Sequence, residues 1–463
     1  MNLIIKLSAI TPAGLFFPTG LVMNATEKPV HKPNFIIINC DDLGYGDLGC
    51  FGHPTIKTPH LDRLANEGQK WTNFYVSAAV SSPSRAGLLT GRLGVRTGMY
   101  GNEKEVLFPN SPKGLPQEEV TIASLLKQAG YTNVCIGKWH VGHKEGSMPW
   151  NHGFDYYYGI PYSNDMSRKE QMINGNENYP YPLPFYNQRE VIEWEPDQTQ
   201  FTKRLTEYAV RFIKEEKKQP FFLYLAHPMP HIPLYASEDF QGRSIRGKYG
   251  DAVEEIDWSI GQIIKTLKEN NLEKNTIVVF TSDNGPWLSY GLDGGSAGLL
   301  KDGKASTCEG GFRVPCIIWG ANVTPSVVSD MGSALDILPT FCEMAGVILP
   351  SHREYDGVSL LSTLAQKETG IRHFFPFFRG NELYAFRKGK YKIHFVSRAA
   401  YGSKDRIIHA IPLLYDLEKD PGETVNQASK YPETVKELTL EAQRFLENIQ
   451  IAESIFDLPA ATQ

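Results

Sequence analysis

Four short apolar runs punctuate the chain, and each passes directly into polar residues of the kind that do chemistry. Residues 35–38 lead to Asp41 and Asp42, residues 134–136 to Lys138 and His140, residues 221–225 to His227 and His231, and residues 277–280 to Asp283, Asn284 and Gly285. Uniformly apolar runs of this length predict strands buried on both faces. Between them the apolar positions change to a spacing of three and four: Ile122, Leu125, Leu126 and Ala129, then Leu205, Ala209, Phe212 and Ile213, then Val253, Ile256, Ile260, Ile263, Ile264 and Leu267. Each set lines one face of a helix. Strands alternating with amphipathic helices predict an α/β fold, a mostly parallel sheet covered on both sides, in which ligands bind beyond the carboxyl ends of the strands. All four polar clusters are then expected on one rim.

After about residue 365 the pattern shortens. Residues 383–386, 391–395 and 413–416 read as strands separated by tight turns such as Lys388-Gly389-Lys390, and a last helix carries Val435, Leu438, Ala442, Phe445, Leu446 and Ile449 on one face. This predicts a small antiparallel sheet with a helix packed on it. At 463 residues the chain exceeds the roughly 300 at which single cores stop growing, so the expected division is a large α/β part, residues 26–365, followed by a smaller α+β part, residues 366–463. Residues 1–25 carry Lys6 as their one charge, an apolar stretch through Leu15-Phe16-Phe17 and a small residue at Ala25. They read as a cleaved secretory signal, which places the mature protein in the periplasm or outside the cell. No later apolar run is long enough to span a bilayer.

Composition narrows the partners. Hydrophobic residues make up 41% of the chain and charged residues 21%, with a net charge of −5 and no basic block, which argues against nucleic acid as a partner. An anionic substrate must then be held by local charges. The cysteines, Cys40, Cys50, Cys135, Cys308, Cys316 and Cys342, lack C-x-x-C spacing, which argues against zinc and leaves a disulfide open.

The sharpest chemical signal is residues 81–92, S-S-P-S-R-A-G-L-L-T-G-R. Pro83 favours a first helical turn and Gly91 ends the element, which leaves Ser81 beside unpaired backbone N–H groups with Arg85 one turn in. Such a helix start attracts an oxyanion. Asp41, Asp42, Asp283 and Asn284 add hard oxygen donors at two strand ends, a set that suits calcium or magnesium rather than zinc. Taken alone, each of these pairs also reads as turn or cap residues.

The run from Ser81 resembles the signature of the type I sulfatases, (C/S)-x-P-S-R followed six residues on by G-R, and matches it at every fixed position. N-C-D-D-L-G-Y-G-D-L-G-C from Asn39 and T-S-D-N-G-P from Thr281 are similar to the calcium-binding segments of arylsulfatases. Further likenesses are G-K-W-H-V-G around Lys138 and His140, A-H-P-M-P-H-I-P ending beyond His231, and D-G-K-A-S-T-C-E-G-G-F-R-V-P around Lys304. G-I-P-Y-S-N-D from Gly159, D-I-L-P-T from Asp336 and L-Y-D-L-E-K-D-P-G-E from Leu414 resemble the branch that contains arylsulfatase A and N-acetylgalactosamine-6-sulfatase.

The resemblance implies an alkaline-phosphatase-like sheet and a sulfuric ester hydrolase. It implies that Ser81 is oxidised to formylglycine (3-oxoalanine) by a radical maturing enzyme that accepts serine, and that one calcium ion is held by Asp41, Asp42, Asp283, Asn284 and the residue at position 81. Arg85 and the metal would favour the attacking oxygen, Lys138 and Lys304 would neutralise the sulfate oxygens, His231 would protonate the leaving group, and His140 would take the proton that releases sulfate. His227 reads either as part of this set or as a brace for its loop. The expected substrate is a sulfated carbohydrate cleaved in exo fashion, with loops around Asn164 to Arg189 and Arg398 to Lys404 shaping its pocket and Tyr162, Tyr179 and Tyr181 as aromatics able to stack on a sugar. Two alternatives stay open: a phosphatase or phosphonate hydrolase of the alkaline phosphatase superfamily, and a non-enzymatic protein that binds sulfated glycans.

Overall fold

The computed structural model describes residues 32–401 and 405–459. The expected signal, residues 1–25, lies outside the described residues, as do residues 402–404 of the second pocket loop. Ten strands form the large sheet: β1 (Asn34–Cys40), β2 (Gln69–Tyr75), β3 (Thr132–Lys138), β4 (Tyr156–Ile160), β5 (Pro184–Asn187), β6 (Glu190–Trp194), β7 (Phe221–Ala226), β8 (Thr276–Ser282), β9 (Arg313–Gly320) and β10 (Ser326–Ser333). Their order across the sheet is β10-β2-β9-β8-β1-β7-β3-β4-β5-β6. The centre is parallel: β8, β1, β7, β3 and β4 run together, with Phe35 of β1 between Ile277 and Phe222. Strand β9 is antiparallel to both its neighbours, and β5 and β6 continue the sheet antiparallel at the far edge. The sheet is therefore mixed and mostly parallel, as the alternation of strands and helices predicts.

The four apolar runs are the four central strands β1, β3, β7 and β8, and period-two alternation explains why they carry no polar face. Phe35 and Ile37 join one core, whereas Ile36 and Ile38 join the other on the opposite side of the sheet. One side is covered by the helices Phe201–Glu216 and Lys248–Glu269, through Leu205, Ala209, Ile256, Ile260 and Ile263. The other is covered by Ser81–Thr90, Ile122–Gln128 and Ile337–Ala345, through Leu88, Leu89, Leu125, Leu126, Leu338 and Phe341. Because both faces are apolar, the polar residues of these strands are pushed to their ends.

The second sheet is antiparallel, in the order β11 (Phe374–Arg379), β12 (Glu382–Lys388), β13 (Tyr391–Arg398), β14 (Arg406–Asp416). The helix Pro432–Asn448 follows and contributes Leu438 and Ala442 to the same core as Phe375, Phe377, Ala385 and Ile393. That core is continuous with the one beneath Ser81–Thr90. No helix among the described residues is long and apolar enough to cross a membrane. All six cysteines are unpaired, and all except Cys50 are buried.

Candidate active site

The carboxyl ends of β1, β3, β7 and β8 meet at one rim, and the structure brings all ten sequence-predicted site residues together there. Asp41 and Asp42 follow β1, Lys138 ends β3 with His140 two residues on, His231 lies in the loop after β7, and Asp283 and Asn284 follow β8. Gly285 is obligatory in that last turn: a Cβ there would lie 1.8 Å from the Gly310 carbonyl oxygen. Asp42 and His140 adopt positive φ, at 61° and 57°, conformations uncommon for such residues and concentrated at functional sites.

Ser81 opens the helix Ser81–Thr90, which is buried along its whole length and closed by Gly91 in the left-handed region, its N–H bonded to the Gly87 carbonyl. The Ser81 side chain is 2% exposed. Its Oγ donates to Asp283 Oδ2 at 2.7 Å and accepts from Arg85 Nε at 2.8 Å, and His140 Nδ1 lies 3.2 Å away. His140 Nε2 faces the Leu107 carbonyl at 2.9 Å. A carbonyl only accepts, so Nε2 carries the proton and Nδ1 turns a lone pair toward Ser81. Burial, reinforced by Lys138, holds the His140 pKa well below its usual value, so the ring is neutral.

Charges alternate around this point. Arg85 bridges to Asp283 at 2.8 Å and to Asp41 at 3.5 Å, Lys138 pairs with Asp41 and donates to Ser163 Oγ at 2.9 Å, and Lys304 donates to Asp42 at 2.8 Å. His231 Nε2 lies 3.6 Å from Asp42, with Nδ1 bonded to the Ile232 carbonyl. Burial opposes ionisation of Asp41, but Lys138, His231 and Arg85 outweigh it and lower its pKa. Asp283 goes the other way, raised by burial and then by the charge of Asp41. Burial lowers the pKa of Lys138, whereas Lys304 is raised, Asp42 and Asp41 overcoming the same penalty.

Several features fit a hard divalent cation. Asp41, Asp42 and Asp283 each offer an oxygen, and these oxygens lie within 4.8 Å of one another. Asp41 Oδ1 and Asn284 Oδ1 are buried without a hydrogen-bond partner, although the Asn284 amide nitrogen is bonded to Asp42. Unpartnered buried oxygens are rare, and these two belong to a carboxylate and an amide, ligands of the type calcium takes. Three carboxylates already face three basic side chains, so a divalent ion leaves the site positive and in need of an anion when all are charged.

His227 lies apart from this set. It is fully buried, Nε2 is 3.2 Å from Ser259 Oγ on the helix Lys248–Glu269, and burial pushes its pKa down to about 3. It braces its loop. Ser163 and the Leu107 carbonyl were not singled out by sequence reasoning. Ser163 lies within the G-I-P-Y-S-N-D motif, but nothing in its spacing points to Lys138. Tyr162 is committed to packing, its hydroxyl donating to the Pro182 carbonyl at 2.7 Å, while Tyr179 and Tyr181 pack edge to face on each other. The aromatic ring beside the site is Trp287, 5.5 Å from His231 and 4.2 Å beneath the Lys304 ammonium.

The sulfatase family model matches residues 33–347, and that for the C-terminal region of aryl-sulfatase matches residues 371–462. Arylsulfatase A of Homo sapiens is 38% identical over 438 residues, covering 88% of this chain and 85% of its own length. N-acetylgalactosamine-6-sulfatase of Rattus norvegicus is 37% identical, covering 87% and 82%. The crystal structure of the PsFucS1 sulfatase from Pseudoalteromonas sp. superposes with a TM-score of 0.79 at 28% identity, covering 91% of this chain and 92% of that one. Matched along both of its sheets and at that identity over most of its length, the chain belongs to the sulfatase family and is a sulfuric ester hydrolase.

Proposed function

We propose that the protein removes sulfate from the end of a sulfated carbohydrate, using a formylglycine made from Ser81 and one calcium ion. The observation that carries this reading is the setting of Ser81 Oγ, in contact with Arg85, Asp283 and His140 at the edge of a carboxylate cluster. The serine itself has no strong base to activate it, since burial makes His140 only a weak base and Arg85 is a permanent cation. Once converted, residue 81 supplies as a hydrated aldehyde one hydroxyl to attack sulfur and a second whose deprotonation expels sulfate. Asp41, Asp42, Asp283 and Asn284 would hold a calcium ion, which would supply positive charge to the reaction.

The chain's own side chains do the rest. Arg85 fixes the oxygen at position 81 through Nε. Lys138 and Lys304 turn from Asp41 and Asp42 toward the sulfate oxygens, where charge shifts during transfer. His231, its Nδ1 held by the Ile232 carbonyl, gives the proton from Nε2 to the departing sugar oxygen. Asp283, which already accepts from the oxygen at position 81, takes the proton of the attacking hydroxyl, and His140 Nδ1 takes the proton of the second. N-acetylgalactosamine-6-sulfatase among the relatives supports a carbohydrate ester as substrate. We assign residues 26–365 to catalysis, residues 366–463 to its support, and residues 1–25 to export into the periplasm or beyond the cell.

Peptide mass spectrometry of protein from a host with a serine-accepting maturing enzyme, paired with turnover of matched aryl sulfate and aryl phosphate, tests this reading. The expected result is loss of two hydrogens at Ser81 and a clear sulfate preference. Full sulfatase activity with intact serine overturns the mechanism, and a phosphate preference overturns the reaction in favour of a phosphatase on the same fold.

A further inference from the structure

Two buried polar atoms near His231 have no hydrogen-bond partner among the described residues and no place in the mechanism above. The first is Asp165 Oδ1, in the short turn Asn164–Met166 that follows β4. The second is the indole nitrogen of Trp287, whose ring packs 5.5 Å from His231 and 4.2 Å from the Lys304 ammonium. The Trp287 ring continues into Tyr290, at 4.8 Å and nearly perpendicular, and into Tyr401 at 5.1 Å. Tyr401 leads in turn to Glu105, which raises its pKa after burial and which pairs with Arg379 at 2.7 Å.

An acceptor and a donor left bare in a buried setting cost free energy unless a ligand or water completes them. Their position decides which ligand. Asp165 is two residues from Ser163, whose hydroxyl takes the Lys138 ammonium, and His231, Ser163, Lys138 and Lys304 together hold its carboxyl below the usual range against the effect of burial. Asp165 is therefore a carboxylate, able only to accept. A flat indole and phenol wall and an unpaired carboxylate oxygen, both near His231, fit a polyhydroxylated ring: apolar C–H faces on the aromatics, a hydroxyl donating to the carboxylate. A second carboxylate on that ring would meet Asp165 in a site screened from water.

Resting on the sulfatase reading, we propose that Asp165 and Trp287 form the subsite for the sugar that carries the sulfate, and that this subsite takes an uncharged pyranose and rejects a uronic acid. Asp165 accepts a ring hydroxyl, and Trp287 gives the stacking face and an N–H. Both are specificity-determining groups on the leaving-group side of His231.

The test uses full-length, natively matured enzyme with three kinds of substrate: an aryl sulfate, methyl galactoside sulfates at the 2, 3 and 4 positions, and the methyl galacturonide sulfates matched to them. Wild type should prefer one of the galactosides over its matched galacturonide by about tenfold or more in kcat/KM. In Asp165→Asn the ratio of galactoside to aryl-sulfate turnover should fall by about tenfold, chiefly through KM, and the preference over galacturonide should shrink. Trp287→Phe, which keeps the ring and removes the N–H, should show a smaller fall of the same ratio. A wild-type preference for the galacturonide, or a galactoside-to-aryl ratio unmoved in both variants, overturns the subsite while leaving the sulfatase reading intact. Failure to cleave any sulfate ester overturns both.

Discussion

Two buried charge clusters of similar size among the described residues are finished in different ways. At the rim of the large sheet, Asp41, Asp42 and Asp283 face Arg85, Lys138 and Lys304, with Asp41 Oδ1 and Asn284 Oδ1 left without hydrogen-bond partners. Between the two sheets, Lys392 on β13 reaches Glu309 at 3.0 Å, Glu423 at 3.1 Å and the Thr307 carbonyl at 2.9 Å. His394 closes on Glu423 at 2.6 Å, the Glu423 carboxylate accepts the Glu309 N–H at 2.7 Å, and Tyr75, Arg313 and Arg387 complete the surroundings of Glu309. Here each carboxylate oxygen is satisfied. A buried ionic network that is complete holds parts of a fold together, while one with bare oxygens is waiting for something to bind. Burial and charge count alone do not separate the two; partner counting does.

That distinction breaks most sharply under metal. Calcium should raise the thermal midpoint of the wild-type protein and a chelator should lower it, by the roughly 3 kcal/mol expected at a hundredfold excess over Kd. In Asp283→Ala both the shift and turnover should vanish, turnover by about a thousandfold or more. A calcium-dependent shift retained in that variant would mean the bare oxygens serve another purpose.

The complementary substitution is Lys392→Met, which strands two carboxylates in the other cluster. It should cost about 3 to 5 kcal/mol of stability in denaturant unfolding, while aryl-sulfate turnover per folded molecule stays near wild type. Loss of activity beyond loss of folded protein would show that the two clusters are coupled.

A gentler probe is acid. Burial opposes the charge on Glu423, yet Lys392 and His394 outweigh it and hold its pKa down to about 2. An unfolded glutamate titrates near ~4.3, so this bridge contributes fully above that pH and its contribution fades as pH falls from there toward about 2. Glu423→Gln should flatten the decline of unfolding midpoint with pH in that window. An identical slope in wild type and variant would assign the acid sensitivity elsewhere.

Much of the site was legible because its residues follow strands that are apolar on both faces, which leaves chemistry nowhere to go but the strand ends. Asp41, Lys138, His231 and Asp283 all announce themselves this way. Ser163, Asp165 and Trp287 do not, since they come from loops whose approach to Lys138, His231 and Lys304 is set by the fold as a whole. The fold was read in a similar proportion. The central strands and the helices over them follow from periodicity, but β2 alternates buried and half-buried positions and β9 carries Pro315, so neither presents a clean run. Strand β11 is interrupted by Pro376, tolerated because it lies at the edge of its sheet. In β14 the residues before Leu413 are largely exposed, and only the buried end gives a pattern.

The depth at which Ser81 lies fixes a schedule. A hydroxyl 2% exposed, at the head of a helix with no exposed residue, is beyond the reach of another enzyme's catalytic centre once the sheet has closed over it. On the proposed mechanism the oxidation of Ser81 would have to precede folding, and a host that folds this protein too quickly would fill itself with well-formed but chemically idle copies.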